Sequence, residues 1–195
     1  MPLIPPLVSL GNRLIVAMLC CAASVDSLHA QAPDQQAAPT PTPSVAVATK
    51  IHEGEKLTPA QMAVKWFDAN GNPLGFQEFK GQVVVIAFWA PGVTLALRAL
   101  GPLTAIDTKY RGKGVRVVGV GLDVPAARKD VVPAVIKAAA IQFPMLIDRG
   151  ASPEAFGINA LPTIFIVDRN QRVARKYVTP ASLQELERDV IRVLH

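Results

Sequence analysis

The stretch VVVIAFWAPGVTLALRALGPL, residues 83–103, decides the fold. Val83, Val84, Val85, Ile86 and Phe88 make a β-branched and apolar run of the kind found in strands buried on both faces. Pro91 and Gly92 stop that strand. Leu97, Leu100, Leu103, Ile106 and Tyr110 then recur every three or four residues, which is one face of a helix. Strand, tight turn and helix in direct succession set backbone N–H groups and the positive end of a helix dipole at Val93–Leu95.

Outward from this unit, Val115–Gly121 is a second buried strand, and its distance along the chain implies a right-handed parallel crossover. Asp130–Ala140 reads as a helix with Pro133 either near its start or kinking it. Ser152-Pro153-Glu154 reads as a helix cap with proline in the first helical position. Asp168–Gln171 is a hairpin turn into a strand over Arg172–Val178. Ser182 with Glu185 makes a capping box for a last helix whose apolar face is Leu183, Leu186, Val190 and Val193 or Leu194. On the N-terminal side, Ala63–Phe67 alternates as a short strand before the turn residues Asp68–Pro73. Asp68, Asn70 and Asn72 have calcium-loop spacing. Pro73 and Phe79 stand where that loop needs glycine and a bidentate glutamate, so a hairpin and no metal is expected.

The Phe88-Trp89-Ala90 strand end and the Leu161-Pro162-Thr163 phrase resemble the thioredoxin-like superfamily, specifically TlpA/ResA-type and redoxin (AhpC/TSA-related) domains. Phe79-Lys80-Gly81-Gln82 is similar to the phrase that leads into the central strand of TlpA-like proteins, and Phe143–Asp148 resembles the short extended segment that the family places before its next helix. The resemblance runs from about residue 60 to 195. It implies an α/β, thioredoxin-like fold with a central mixed β-sheet flanked by helices and an N-terminal β-hairpin extension. It also implies a cis-proline at Pro162 and, through Leu161, backbone pairing with an extended peptide. The family places Cys-x-x-Cys after two variable residues, here Pro91 and Gly92; Val93 and Ala96 occupy the two cysteine positions. Family chemistry needs a thiolate activated by the helix N-terminus and a second thiol to resolve the mixed disulfide. Neither valine nor alanine supplies one. Ala87 stands where thioredoxins keep a buried proton-accepting aspartate, and the helix proline comes one residue late, at Pro102.

The beginning of the chain has a different character. Residues 1–30 read as a signal peptide, with Arg13 ahead of the apolar run LIVAMLCCAASV and small residues near Ala30. That run is too short to span a bilayer. Export to the periplasm or another extracytoplasmic space is the expectation. The only two cysteines, Cys20 and Cys21, lie in this run, and Leu19 before Cys20 does not favour a lipoprotein. A protein cleaved near Ala30 has no thiol. Residues 31–58, rich in Pro, Ala, Gln and Thr at first, read as a flexible linker, and residues 59–195 as the thioredoxin-like domain.

The net charge of +5 includes two basic clusters, Lys109, Arg111, Lys113 and Arg116, and Arg169, Arg172, Arg175 and Lys176. Such clusters form solvated faces or attract acidic partners and anionic membrane surfaces. Nucleic acid is not expected, because no aromatic residues are interleaved for base stacking. His29, His52 and His195 lie away from the turn, so no metal site is expected, and no cofactor.

Three functions remain open. The first is a redox-inactive module that binds an extended peptide or protein segment through Trp89, Pro91, Thr94, Leu95, Leu161 and Pro162. The second is the family's thiol-disulfide oxidoreductase or antioxidant activity, through Cys20, Cys21 or a partner's thiols. The third is a site for glutathione or another small molecule at the helix N-terminus, with Thr94 as its hydroxyl and an ordinary N-cap threonine as the alternative. The first is preferred.

Overall fold

The computed structural model describes residues 51–122, 124 and 130–195. The expectations for the signal peptide, for linker residues 31–50 and for Cys20, Cys21 and His29 lie outside these residues.

Seven strands form one mixed sheet in the order β2-β1-β5-β4-β3-β6-β7. They are β1 (Lys65–Phe67), β2 (Pro73–Gly75), β3 (Val83–Trp89), β4 (Val115–Gly121), β5 (Met145–Ile147), β6 (Thr163–Val167) and β7 (Val173–Tyr177). The helices are α1 (Pro59–Ala63), α2 (Thr94–Tyr110), α3 (Val131–Ala138), α4 (Ser152–Phe156) and α5 (Leu183–Leu194). Central β3 runs parallel to β4 and antiparallel to β6, and β4 runs parallel to β5. The β1–β2 hairpin joins the sheet through β1 and β5. This is the mixed α/β architecture with an N-terminal hairpin that the sequence implies.

Strand β3 is buried throughout, and its alternation builds a core on each face of the sheet. Val83, Val85, Ala87 and Trp89 join the core under α2 and α5, with Leu100, Leu103, Ile106, Leu186 and Val190. Val84, Ile86 and Phe88 join the opposite core, where Trp66, Phe76, Phe88, Phe156 and Phe165 pack with ring centroids 5.3–6.3 Å apart. Each such side chain removed from water contributes roughly 1.5–3 kcal/mol. Ala87, in the place of the buried aspartate, therefore sits in a fully apolar layer.

Four expectations are corrected. Residues 51–58 are not linker: Ile51 and Leu57 are buried, Gly54 N–H donates to Val173 O at 2.7 Å, and Val173 N–H donates to Glu55 O at 2.8 Å. The segment covers the outer edge of β7, which would otherwise be an open strand edge. The strand expected at Ala63 begins at Lys65, because Thr58 and Gln61 form a capping box that starts α1. Ser152 does not cap α4. The N-cap position is Ala151, and Asp148 supplies the acceptors there, taking Gly150 N–H at 2.7 Å and Ser152 N–H at 3.1 Å, while the Ser152 hydroxyl links Asp148 to the Trp66 indole. Leu183 is 40% exposed rather than on the buried face of α5, which Leu186 and Val190 form.

The two hairpin turns share one device. Asp68 Oδ1 accepts from the N–H groups of Asn70 and Asn72, and Asp168 Oδ1 from those of Asn170 and Arg172, all at 2.8 Å. The Asp68 segment is thus a turn, as expected, and its carboxyl is held below the ordinary value by the Asn72 side-chain and backbone bonds.

Candidate functional site

The chain leaves β3 at Trp89 and turns over Ala90–Val93, closed by Val93 N–H to Ala90 O at 3.1 Å. Helix α2 starts at Thr94, and Leu97 N–H already finds Val93 O at 3.2 Å. The N–H groups of the first turn before it have no helical acceptor and face the turn. Val93 is the N-cap residue, with extended backbone (φ −107, ψ 97) and no capping side chain. This corrects the reading of Thr94 as a cap: Thr94 is the first helical residue, exposed, and its hydroxyl bonds to no described residue.

The residues expected at the site separate into surface and support. Leu95 is 52% exposed; Pro91, Val93 and Leu161 are half-buried. Ala96 is buried, so of the two positions matching the family's cysteines only Val93 reaches the surface. The Leu161–Pro162 peptide bond is cis, and Pro162 is buried where β6 begins beside the end of β3. Trp89 is corrected from a surface residue to a wall: it is fully buried, and its Nε1 has no hydrogen-bond partner among the described residues. Pro102 lies within a continuous α2, followed by Thr104, whose hydroxyl bonds back to Leu100 O at 3.0 Å.

The support of this wall is testable. Gly121 pairs with Trp89 across β3 and β4, and Leu122 N–H bonds Trp89 O at 2.7 Å. A Cβ on Gly121 would stand 2.7 Å from Val124 Cγ2 and 3.3 Å from the Trp89 ring. Gly121→Ala is expected to cost about 1–3 kcal/mol by overpacking, measured by denaturant unfolding, with a change in Trp89 fluorescence. An unchanged midpoint would mean that the wall is soft.

Chemically, the site is an apolar rim beside unpaired amide donors. Thr94 carries its only side-chain hydroxyl, no ionisable side chain belongs to it, and among the described residues no cluster of three His, Cys, Asp or Glu could hold a metal. Neither N–H nor C=O of Leu161 bonds to another described residue. Sequence reading placed Leu161 here through its phrase; the open backbone is a structural finding.

Comparison with known proteins bears on the family and the fold. The sequence profile of the AhpC/TSA family matches residues 54–176. The thiol-disulfide oxidoreductase ResA of Bacillus thuringiensis subsp. konkukian is 25% identical over 122 residues, 62% of this chain and 68% of that protein. ResA of Geobacillus thermodenitrificans is 25% identical over 119 residues, 60% of this chain and 66% of that one. Among solved structures, a thioredoxin-family thiol:disulfide interchange protein of Chlorobium tepidum superposes with a TM-score of 0.61 at 18% identity, covering 74% of this chain and all of that one. A secreted disulfide oxidoreductase of Mycobacterium tuberculosis superposes with a TM-score of 0.60 at 14% identity, covering 69% and 99%. The match spans the sheet from the segment that borders β7 to β7 itself, both phrases included, and the chain belongs to the AhpC/TSA family, with a thioredoxin-like fold.

Proposed function

We propose that this chain is an exported thioredoxin-fold module that holds an extended polypeptide segment at the Leu161–Pro162 edge without thiol chemistry of its own. The observation that carries this reading is the unpaired backbone of Leu161 beside the apolar rim of Pro91, Val93 and Leu95. An extended segment would pair with that backbone as an added strand and lay alternate side chains on the rim. No cysteine occurs after Cys21, so the domain cannot form the mixed disulfide of its relatives. Export rests on the signal-like residues 1–30 and accords with the secreted relative.

The test uses reduced and alkylated insulin B chain, an extended polypeptide with blocked thiols. It is expected to bind and to shift the amide signals of Leu161 and Leu95. Leu161→Glu buries charge against the apolar rim and is expected to weaken binding at least about tenfold, the equivalent of 1.4 kcal/mol. The absence of saturable shifts, or equal binding by the variant, would remove the reading. Saturable shifts at Thr94 with glutathione alone would favour the small-molecule alternative.

A further inference from the structure

A cavity of about 380 Å³ lies at the far end of α2 from the turn, lined by Tyr110, Lys113, Arg169, Ile191, Leu194 and His195. Tyr110 lies sixteen residue steps along α2 from Thr94, about 24 Å along the axis. The cavity therefore belongs to a different part of the surface from the Leu161 edge. Its lining comes from three distant stretches of chain: the end of α2, the β6–β7 turn and the end of α5.

The lining is cationic on one side and apolar on the other. Lys113 Nζ sits 5.2 Å from the centroid of the Tyr110 ring. The Arg169 guanidinium lies over Gly114, where a Cβ would come within 3.6 Å of Nη2. Lys113 and Arg169 make no ion pair with a described residue. Glu187, the carboxylate that the Lys113 charge reaches, already accepts from Lys109 Nζ and the Tyr110 hydroxyl. Against these cations stand Ile191, 41% exposed although it is on a helix packed to the core, and half-buried Leu194.

We propose that this cavity binds a small organic anion, its carboxylate or phosphate between Lys113 and Arg169 and its apolar body on Ile191, Leu194 and Tyr110. Lys113 and Arg169 are exposed, so a neutral apolar ligand would use only the apolar side of the cavity and leave both charges unengaged. A bare inorganic anion would leave the isoleucine and leucine uncovered. The volume falls at the small end of ligand sites, which run from about 300 to 1,000 Å³. It suits a compact molecule rather than a folded partner.

The test is titration of the full chain with octanoate and, separately, phenyl phosphate, followed by amide NMR. Saturable shifts at Tyr110, Lys113, Arg169 and Ile191 are expected with at least one of the two, and which one distinguishes carboxylate from phosphate. Lys113→Ala and Arg169→Ala are each expected to weaken binding about tenfold or more, as loss of a charge-assisted contact should. Lys65→Ala removes the same charge from β1 and should leave binding unchanged. The proposal falls if octanol binds as tightly as octanoate, if inorganic phosphate binds as tightly as phenyl phosphate, or if Lys65→Ala weakens binding as much as Lys113→Ala. It also falls if neither ligand gives saturable shifts.

Discussion

Replacing Val93 and Ala96 together by cysteine is expected to give the chain insulin-reductase activity, with dithiothreitol as the electron source, about a hundredfold or more above its present background. The argument is positional. Val93 is the N-cap of α2, where unpaired N–H groups and the dipole stabilise a thiolate. Ala96 lies three residues on, buried behind it, where the family keeps its resolving thiol. Pro162 and the Leu161 backbone already stand at the start of β6 beside this turn. Val93→Cys replaces two methyl groups by one sulfur at a half-buried position, while Ala96→Cys adds a sulfur to a buried one at a cost of about 1–3 kcal/mol. Each turnover would oxidise the new dithiol to a disulfide as the insulin disulfide is reduced, and dithiothreitol would return the dithiol. Val93→Cys alone should form mixed disulfides and accumulate them without turnover. A double variant that unfolds normally but reduces insulin no faster than the parent would show that the turn has lost more than its thiols.

That experiment separates what the sequence makes legible from what it does not. The strand–turn–helix at residues 83–110, the parallel β4 and the Ser182–Glu185 capping box depend on local periodicity and local side-chain-to-backbone bonds, and they stand in the structure as expected. The misses come from contacts that local periodicity does not show, several of them distant in sequence. Ile51 and Leu57 look like linker until Val173 and its neighbours supply a strand edge for them. Asp148 captures the start of α4 from Ser152 because the Ser152 hydroxyl is already engaged by Trp66 and Asp148. Trp89 sits in a phrase associated with a surface, yet strand pairing with Gly121 turns its ring into the core. Thr94 has the composition of a cap and misses that position by one residue. At the candidate site the apolar rim is readable from Pro91, Val93, Leu95 and Leu161. The free backbone of Leu161 is not, because it depends on where the β3–β6 ladder stops. The cationic cavity is still less so, since Lys113, Arg169 and Leu194 meet only in three dimensions.

The largest stability effect is expected at Asp189, on the buried face of α5. Its side chain is 2% exposed and accepts from Arg192 Nη2 at 2.6 Å, Arg188 Nε at 3.2 Å and the Tyr177 hydroxyl, with Arg175 Nε at 3.3 Å. Arg175 also reaches Glu53, so this one carboxylate ties α5 to β7 and, through Arg175, to the segment that covers the β7 edge. Removing one partner of a buried ion pair costs roughly 3–5 kcal/mol, and because these arginines can turn toward water the expected loss for Asp189→Ala is about 2–3 kcal/mol. For a domain of this size that lowers Tm by about 4–12 °C. Asp189→Asn keeps an acceptor for Tyr177 and should lose less. The pH dependence tests the same network from both ends. Burial pushes the Asp189 carboxyl up, but the Arg188 and Tyr177 hydrogen bonds and the neighbouring arginine charges outweigh it and hold the carboxyl below its ordinary value. A depressed acid stabilises the fold above its unfolded pKa of about 3.9, and that contribution is lost as pH falls below it. Tyr177 moves the other way, from 10.0 to about 12, through burial first and then its bond to Asp189. A raised pKa stabilises the fold below 10, and this contribution disappears as pH rises from 10 to about 12. Urea unfolding across pH 9–12 should therefore show stability falling in the parent and falling less in Tyr177→Phe. Asp189→Ala should flatten the acid limb below pH 4 as well. Parallel acid limbs in parent and Asp189→Ala would show that the arginines hold α5 to β7 without this carboxylate.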